Sequence, residues 1–425
     1  MMNDNLPEKS IATAAEMDSS DPLRTFRDRF SFPQVEGRDT LYFTGNSLGL
    51  MPRKAREYVE QELSDWERLA VEGHNHAKNP WLPYHEFLTE QMAEIVGAQP
   101  SETVVMNSLT VNLHLLLVSF YRPTPERHKI VIEKGSFPSD RYAVASQIRF
   151  HKFDPELSLI EIAPREGEST LRTADIVEIL EREGASITTV LLGGVNYYTG
   201  QAFEMREITE AGHRAGAMVG FDLAHAAGNF ELKMHDWNVD FAAWCSYKYL
   251  NGGPGAVGGA FVHERHATSF DIPRMAGWWG HDKETRFLMG PEFKPLAGAE
   301  GWQISNPPIL QMAALRASLE LFAEAGMTAL TKKSQQLTGY LEFLIDQIRG
   351  DRLAIVTPRS SSERGCQLSI RVSGGDRSLH ERIVANGVAA DWREPDVIRV
   401  APVPLYNSFE DVFRFSQILE NVLSG

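Results

Sequence analysis

Short apolar runs and amphipathic helical stretches alternate through the middle of this chain. The runs that are typical of strands buried in a sheet lie at residues 103–106, 129–132, 188–192, 217–221 and 241–245. Helical periodicity lies between several of them, for example over residues 171–183. Such an alternation predicts an α/β fold with a mainly parallel sheet covered on both faces. Ligands of these sheets bind at the carboxyl ends of the strands.

The amino-terminal region has a different pattern. Residues 1–21 are polar and without sustained periodicity, and we expect them to form a loose tail. A helix is expected from Pro52, because proline suits the first helical turn and a helical spacing places five apolar residues on one face. Those five residues are Ala55, Val59, Leu63, Trp66 and Ala70.

The pattern changes again after the Asn-Pro-Pro sequence at residues 306–308. Two long helices are expected over residues 310–350, and the second could bridge two domains. The elements expected in the smaller unit that follows are a strand at 367–372, a helix at 379–386 and a strand at 397–400. A closing helix should begin at Ser408, with Asp411 as its capping partner.

These patterns divide the chain into three expected segments. Residues 1–70 would form the tail and a segment that joins the small domain. Residues 71–310 would form a large α/β domain with the ligand site, and residues 311–425 a small α+β domain. A chain of 425 residues is long enough for such an organisation.

Composition and charge narrow the classes of function. The formal net charge of −15 argues against nucleic acid or an anionic membrane as a partner, because phosphate binding needs a basic patch. No apolar run is long enough to span a bilayer and no start resembles a secretory signal, so we expect a cytoplasmic protein. Two cysteines, Cys245 and Cys366, cannot form a disulfide framework or a zinc site by themselves, and no metal is expected.

Two polar residues at the ends of buried strands indicate chemistry. Asp222 follows the run at 217–221, where it would either cap the next helix or face a ligand. Lys248 follows the run at 241–245 and precedes a glycine-rich turn. Burial favours the neutral amine, which can attack an aldehyde, and glycines allow a cofactor to approach the backbone. A carboxylate against a pyridine nitrogen keeps the ring protonated as an electron sink, so the pair predicts pyridoxal 5′-phosphate bound covalently to Lys248.

Two further segments at the same sheet edge would complete a cofactor site. Thr110 follows the strand at 103–106 and lies at the start of an apolar helix, whose free N–H groups suit a phosphate. Its hydroxyl would bind the phosphate or serve as a plain N-cap, and the two roles are compatible. In the Phe-Pro-Ser-Asp turn, Phe137 would stack on the pyridine ring and Asp140 would bond the ring's phenolic side or its neighbours.

Taken together, these segments resemble the kynureninase family of fold-type I pyridoxal-phosphate enzymes. The resemblance extends from residues 42–49 to residues 399–407, and its most specific parts are residues 106–115, 137–140, 220–225, 245–251 and 304–308. It implies the fold-type I transferase architecture, a large domain with a mainly parallel sheet plus a small α+β domain. The cofactor contacts that it implies are those of Leu109, Thr110, Phe137, Asp140, Asp222, His225, Tyr247, Lys248, Trp278 and Asn306.

The resemblance also implies a role for each group. Leu109 and Thr110 would bind the phosphate with help from Tyr247, while His225 would assist Asp222 on the nitrogen side of the ring. Trp278 and Asn306 would act on the partner subunit's site, which implies a homodimer. There is one departure from the family, since a hydroxyl residue is usual at the position of Gly193.

Three residues resemble the family's substrate contacts: His74 and Asn306 for the aromatic ring and Arg399 for the carboxylate, with Arg393 as the second choice for the carboxylate. The implied reaction is hydrolytic cleavage of the Cβ–Cγ bond of L-kynurenine or its 3-hydroxy form, in tryptophan catabolism and NAD biosynthesis. Its products are anthranilate or 3-hydroxyanthranilate, and L-alanine. Lys248 would remove the α-proton, and Tyr247 would act as an acid or base or only bind phosphate.

Other functions compete with this one. A cysteine desulfurase needs a reactive cysteine on a mobile loop, and Cys245 and Cys366 both lie in or beside strand-like runs. An aminotransferase is harder to exclude from cofactor residues alone. A non-catalytic protein that keeps the fold would be expected to lose part of the set Asp222, His225, Tyr247 and Lys248, which is intact.

Overall fold

The computed structural model describes residues 8–267 and 269–424. The α-helices are α1 (Ile11–Ser20), α2 (Arg53–Leu69), α3 (Gly73–His76), α4 (Glu86–Val96), α5 (Leu109–Phe120), α6 (Pro138–Phe150), α7 (Pro155–Ser158), α8 (Thr173–Glu183), α9 (Met205–Arg214), α10 (Glu264–Ala267), α11 (Ile309–Ala325), α12 (Met327–Asp346), α13 (Arg377–Ala385) and α14 (Phe409–Ser424). No helix among the described residues has both the length and the apolar character that a membrane crossing requires.

The strands form one large sheet, one small sheet and three short pairs. They are β1 (Phe30–Ser31), β2 (Gln34–Val35), β3 (Arg38–Asp39), β4 (Leu41–Tyr42), β5 (Met51–Pro52), β6 (Thr103–Val105), β7 (Lys129–Glu133), β8 (Leu159–Ile162), β9 (Ile187–Gly193), β10 (Met218–Asp222), β11 (Phe241–Trp244), β12 (Gly259–Val262), β13 (Leu353–Ile355), β14 (Leu368–Val372), β15 (Val388–Ala389), β16 (Asp391–Arg393) and β17 (Val397–Val400).

The large sheet has seven strands in the order β6-β12-β11-β10-β9-β7-β8. The pairs from β11 through β8 are parallel, and β12 alone runs antiparallel to its two neighbours. All five strands expected from the sequence belong to this sheet. The expected α/β architecture with a mainly parallel sheet is therefore confirmed.

Separate apolar cores cover the two faces of the large sheet. One core joins α4, α8, α9 and α11 to one face, and the other joins α5 and α6 to the opposite face. The strands consequently have almost no exposed residues: β9, β10 and β11 are buried along most of their length. Polar side chains at the strand ends are thus held by a rigid, fully packed layer.

The expectation of a loose amino-terminal tail is wrong for the described part of residues 1–21. Helix α1 begins after Ser10, whose hydroxyl accepts the Thr13 N–H, and it packs against α14. The carboxylate of Asp18 accepts the first two N–H groups of α14, at 2.8 and 3.0 Å. Only Ala14 of this helix is fully buried. Because so few apolar residues contribute to the packing, the sequence of the helix has no strong hydrophobic periodicity. Residues 1–7 lie outside the described part.

Helix α2 lies where the pattern predicts it, with its apolar stripe turned partly outward. Leu63 and Trp66 are 42% and 60% exposed, whereas Glu62 and Asp65 are buried. The Glu62 carboxylate accepts hydrogen bonds from Asn79, Trp81 and Tyr84. Buried carboxylates are tolerated when they are fully hydrogen-bonded, so the polar face of this helix packs inward.

The carboxyl-terminal unit is a four-stranded antiparallel sheet, in the order β13-β14-β17-β16, covered by helices α12, α13 and α14. The closing helix begins as predicted: Ser408 Oγ accepts the Asp411 N–H at 3.0 Å, and Asp411 accepts the Ser408 N–H at 3.2 Å. Strand β4 pairs with β15, so the chain before residue 70 contributes to this unit. The three-segment division itself stays a prediction.

Candidate active site

A cavity of about 160 Å³ lies at the carboxyl ends of the parallel strands, and we call it the main cavity. Its lining residues are Ser108, Leu109, Thr110, Glu133, Phe137, Ser139, Asp140, Gly193, Val195, Tyr197, Asp222, Ala224, His225, Tyr247 and Lys248. Eight of the residues singled out from the sequence are therefore brought together, from four separate segments of the chain. The position agrees with the general rule for ligands of open α/β sheets.

Lys248 is the cation of the main cavity, and its side chain is buried. Its Nζ lies 3.0 Å from Nε2 of His225 and 5.8 Å from the ring centroids of Phe137 and Tyr247. Burial, reinforced by the charge of Lys248, holds the pKa of His225 well below its ordinary value. The imidazole is therefore neutral, and its Nε2 can accept a hydrogen bond from the amine.

Asp222 ends β10 and faces the main cavity from the floor of the sheet. Its Oδ1 accepts the Ala224 N–H at 2.7 Å, so it caps a turn as well as lining the cavity. Asp222 therefore has both of the roles that the sequence suggested, a cap and a residue that faces a ligand site. The segment that it caps is a turn and not an α-helix.

Asp140, in the first turn of α6, forms a buried acid pair with Asp222. Burial, followed by the charge of Asp222 and a hydrogen bond to it, raises the pKa of Asp140 well above its usual range. Two close carboxyls in a buried site share a proton, because both cannot ionise at low cost. Oδ1 of Asp140 is buried without a hydrogen-bond partner among the described residues, so it is available to a ligand.

A third buried carboxyl, Glu133, was missed from the sequence. It ends β7 and is 4% exposed, and both its oxygens lie 3.3 Å from the Gly193 N–H. A Cβ atom on Gly193 would lie 3.1 Å from Oε1 of Glu133, so the glycine leaves room for this carboxylate. The available signal was the position of Glu133 directly after an apolar run, the same signal that identified Asp222.

The start of α5 faces the main cavity with its unpaired N–H groups. Ser108 is the N-cap of this helix, so the alternative of Thr110 as N-cap is wrong. The Thr110 hydroxyl instead lies 2.9 Å from that of Ser139, which is in the first turn of α6. Two hydroxyls and a helix start therefore converge, an arrangement that suits a phosphate group.

Aromatic rings line the outer wall of the main cavity. Phe137 is 44% exposed and meets the ring of Tyr197 edge-on at 5.4 Å. Burial raises the pKa of Tyr247 above its ordinary value, so the phenol is protonated at neutral pH. Tyr197, which lies on the loop after β9, is a second cavity residue that was not predicted from the sequence.

Arg399 lies behind this wall and does not line the main cavity. Its guanidinium is buried, donates to the Tyr197 carbonyl and pairs with Asp391. Arg393 also pairs with Asp391, at 3.1 Å, and is more exposed. Burial lowers the pKa of Arg399 to about 10, which leaves it charged at neutral pH. Its Nε has no hydrogen-bond partner among the described residues, so one donor remains for a ligand.

Besides Arg399, three further expected contacts lie outside the main cavity of a single chain. His74 is in α3, where its ring meets Trp81 at 5.6 Å. Trp278 is 42% exposed and donates to the Arg286 carbonyl, and Asn306 is exposed. One chain by itself therefore does not bring these three side chains to Lys248.

Both cysteines are buried and free. Cys245 is 4% exposed and Cys366 is fully buried, and burial raises the pKa of each thiol. Reactive cysteines require an accessible thiolate. Neither residue is placed like the mobile nucleophile of a desulfurase.

The residues of the main cavity fit pyridoxal 5′-phosphate. A buried lysine, an acid pair at a strand end and a helix start with two hydroxyls match its aldehyde, ring nitrogen and phosphate. Nδ1 of His225 and Oδ1 of Asp140 are buried polar atoms without partners among the described residues, and a polar ring could satisfy them. The chemistry of the donor set therefore agrees with the cofactor expected from the sequence.

Solved structures with the same architecture include pyridoxal-phosphate enzymes. The chain is similar to a cysteine desulfurase from Escherichia coli, with a TM-score of 0.75, 16% identity and coverage of 95% of this chain and 98% of that one. It is similar to a cystine C–S lyase in complex with cysteine persulfide, with a TM-score of 0.75, 18% identity and coverage of 89% and 97%. At such identities the likeness shows the fold alone, and that fold is the expected fold-type I architecture.

Sequence relatives give a finer result. Residues 330–419 match the model described as the kynureninase C-terminal domain. The chain is 64% identical over 405 residues to the kynureninase of Koribacter versatilis, covering 95% of this chain and 96% of that one. It is 59% identical over 414 residues to the kynureninase of Myxococcus xanthus, covering 97% of each. The chain therefore belongs to the kynureninase family.

Proposed function

We propose that this chain is a pyridoxal-phosphate-dependent hydrolase that cleaves the Cβ–Cγ bond of L-kynurenine, 3-hydroxy-L-kynurenine or both. The products are anthranilate or its 3-hydroxy form, and L-alanine. The observation that carries the proposal is the convergence of Lys248, His225 and the Asp140–Asp222 pair in one buried cavity. Similarity to kynureninases over nearly the whole chain supports the choice of reaction among those that this fold performs.

Each part of the main cavity has a function in holding the cofactor. The start of α5, with Thr110 and Ser139, would bind the phosphate, and Phe137 would cover one face of the ring. Asp222 would hold the ring nitrogen in its protonated state. When bound, the cofactor supplies an electron sink for the carbon atoms next to the substrate amine.

Lys248 and Tyr247 are the groups that would move protons. The Lys248 amine would attach the cofactor and remove the α-proton of the substrate, and the neutral His225 at 3.0 Å would accept a hydrogen bond that orients the amine. Tyr247 stays protonated, because burial raises its pKa, so it can donate a proton to a developing charge or a hydrogen bond to phosphate. Positioned acids and bases typically contribute about 10² to 10⁴ in rate.

The substrate carboxylate would bind at Arg399, the buried guanidinium behind Tyr197. Asp391 neutralises Arg399 and also pairs with Arg393. An arriving carboxylate would compete with Asp391 for the fork of Arg399, and the unpaired Nε offers a first contact. Arg393, already more exposed, would then keep Asp391 paired.

We also propose a homodimer in which Trp278 and Asn306 reach the main cavity of the partner. Both residues lie away from the main cavity of their own chain and are exposed or partly exposed. The outward apolar face of α2, with Leu63 and Trp66, supports the same idea, because a contiguous apolar surface favours association. A variant with Leu63→Glu and Trp66→Glu should sediment as a monomer and lose activity. A wild-type monomer that stays active at assay concentration would contradict the proposal.

The place of the reaction in metabolism follows from the substrate. Cleavage of kynurenine belongs to tryptophan catabolism, and the 3-hydroxy product is a precursor in NAD biosynthesis. A cytoplasmic location is part of the proposal and is supported by two free cysteines, since free thiols persist in reducing compartments.

The decisive experiment supplies L-kynurenine to the protein loaded with pyridoxal phosphate. Anthranilate, detected by its fluorescence, should appear together with an equal amount of alanine. An aminotransferase would instead yield a cyclised keto acid, and a desulfurase would act on cysteine and leave kynurenine intact. Either outcome without anthranilate would overturn the proposed reaction.

We propose further that 3-hydroxykynurenine is cleaved at least as well as kynurenine. His74 and Asn306 are polar, and a pocket that hydrogen-bonds a hydroxyl discriminates strongly when the hydroxyl is missing. The measurement is kcat/KM for both substrates, in the wild type and in His74→Trp combined with Asn306→Thr. A strong wild-type preference for plain kynurenine that the substitutions leave unchanged would refute this preference.

A further inference from the structure

Glu133 stands between the main cavity and a second opening. A side cavity of about 180 Å³ lies on the other side of this residue, and Glu133 and Tyr197 line both spaces. The side cavity is also lined by Lys134 and Gly135, which are exposed, so it reaches the protein surface. Glu133 therefore has a path to solvent that does not cross the cofactor position.

The charged group that acts most strongly on Glu133 is the carboxylate of Asp222. The Glu133 carboxylate accepts the Gly193 N–H, and on the main-cavity side it faces the acid pair of Asp140 and Asp222. The titratable groups that line the two spaces around it are Asp140, Asp222, His225, Tyr247, Lys248, Lys134, Tyr197 and Tyr198. On the neighbouring strand β8, Glu161 is bonded to Arg141 at 3.1 Å.

This environment places the proton affinity of Glu133 in the physiological range. Burial raises its pKa to about 7, the Gly193 N–H opposes the rise and the charge of Asp222 adds to it. A buried carboxyl that is half protonated at neutral pH responds to any change of charge or hydration beside it. Glu133 lies beside a ligand cavity, whose filling would change its surroundings, and beside the side cavity, through which protons could reach it.

We propose that Glu133 is a positioning residue that takes up one proton through the side cavity when the cofactor ring enters the main cavity. This inference rests on the proposed function, since it assumes pyridoxal phosphate as the ligand. The proton comes from bulk solvent and forms the O–H bond of the Glu133 carboxylic acid, and no other bond changes. The neutral carboxyl can then remain beside Asp222 without a second negative charge.

The direction of proton transfer follows from two effects of the ligand. The ring displaces water from the main cavity, which removes solvation from a carboxylate and disfavours its charged form. The phosphate at the start of α5 adds more negative charge than the protonated ring nitrogen adds positive charge, and the nitrogen is paired with Asp222, so the ligand as a whole also favours a neutral Glu133. Cofactor affinity should therefore fall as pH rises, because more of the free protein must then be protonated before it binds.

The test measures the dissociation constant of pyridoxal phosphate between about pH 6 and pH 8, by equilibrium titration of the apoprotein. Over this range the dissociation constant of the wild type should rise about three- to tenfold more than that of Glu133→Gln. The uptake of one proton can change the constant by at most about tenfold per pH unit. Glu133→Asp, which keeps a titratable carboxyl, should restore the steeper dependence. Equal slopes in the wild type and Glu133→Gln would overturn the inference.

Two further measurements keep the test decisive. Glu161→Gln on strand β8 is a matched control outside both cavities, and it should keep the wild-type slope. If Glu133→Gln fails to fold, calorimetry of wild-type binding in buffers of different ionisation enthalpy reports the protons taken up directly. Net uptake near neutral pH supports the inference, and zero uptake overturns it.

The same titrations separate this inference from the proposed function. If no variant and no wild-type sample binds pyridoxal phosphate, the proposed function fails first. If cofactor binds and kynurenine is cleaved while the slopes are equal, only the role of Glu133 is wrong.

Discussion

Buried carboxylates lie at both ends of strand β10, Asp222 within the strand and Asp240 on the segment before β11, and their electrostatic situations are opposite. Near the start of the strand, Asp240 accepts the Val219 N–H at 2.6 Å and pairs with Arg265 and two histidines, His213 and His266. Burial alone would raise its pKa, but the hydrogen bonds from the histidines and the charge of Arg265 bring it well below the ordinary value. At the other end, Asp222 faces a cavity and two more carboxyls.

The difference separates a structural carboxylate from a functional one. Both oxygens of Asp240 are occupied by two histidines, Arg265 and a backbone donor, and nothing remains for a ligand. The pair of Asp140 and Asp222 shares a proton and leaves Oδ1 of Asp140 without a partner among the described residues. Groups that are costly to bury without a ligand mark a binding site more reliably than burial or charge alone.

Among substitutions in the main cavity, Lys248→Ala should have the largest effect on activity. Without the amine there is no covalent attachment and no base for the α-proton, so we expect activity to fall by at least about 10⁴-fold, the upper range for a positioned base. The purified wild type should be yellow, with an absorbance that borohydride reduces, and the variant should lose that absorbance. A wild type that stays colourless after reconstitution would contradict the cofactor assignment.

Asp222→Ala and Asp240→Ala test the comparison directly at the two ends of one strand. Asp222→Ala should lower kcat by about 10² to 10³-fold while changing the free energy of unfolding by about 1 kcal/mol, because it removes an electrostatic contact of the ring and one turn cap. Asp240→Ala should cost about 1–3 kcal/mol of stability, since it leaves the buried Val219 N–H without its acceptor and removes the partner of the partly exposed Arg265.

The measurements are kinetics and chemical denaturation of both variants, with activity expressed per folded molecule. The comparison would be broken if Asp240→Ala were as stable as the wild type, or if Asp222→Ala kept full turnover.

The pH dependence of apoprotein stability should have opposite signs for Glu133, beside Asp222 in the main cavity, and for Asp240. Glu133 has its folded pKa raised to about 7 from 4.5, so the folded state holds more protons between those values and stability falls as pH rises through that window. The loss should reach up to about 3 kcal/mol. Asp240 has a lowered folded pKa, so its stabilisation is present above its unfolded pKa of about 4 and is lost as pH falls below it.

Denaturant titrations of the apoprotein across this pH range would check both signs. Glu133→Gln should remove the loss between about pH 4.5 and 7 and leave the acid limb unchanged, whereas a variant curve that matches the wild type throughout would show that Glu133 titrates normally.

The sequence predicted the elements that depend on local pattern. Five of the seven strands of the large sheet, the two helices after residue 310 and the capping box of Ser408 and Asp411 agree with the prediction, because apolar runs and capping residues are local signals. Helix α1 and the inward polar face of α2 were not anticipated. Both depend on partners far along the chain, such as the N–H groups of α14 for Asp18 and the side chains of Asn79, Trp81 and Tyr84 for Glu62.

The site was predictable where chemistry and strand ends coincide. Asp222 and Lys248 were identifiable because each follows a buried run, and the family resemblance added His225 and Tyr247. Glu133 also follows a buried run. It was missed because its significance depends on Asp140 and Asp222, which only the fold brings beside it. Tyr197 lies in a loop, whose direction no periodicity encodes.

Helix α12 has a consequence for how the molecule unfolds. Leu330, near its start, belongs to the core under the large sheet, while Leu337, Leu341 and Leu344 belong to the core of the carboxyl-terminal unit. One continuous helix thus serves two apolar interiors, and neither can melt without removing packing from the other. A destabilising change in either unit should therefore also weaken the packing of the other, through the part of α12 that they share.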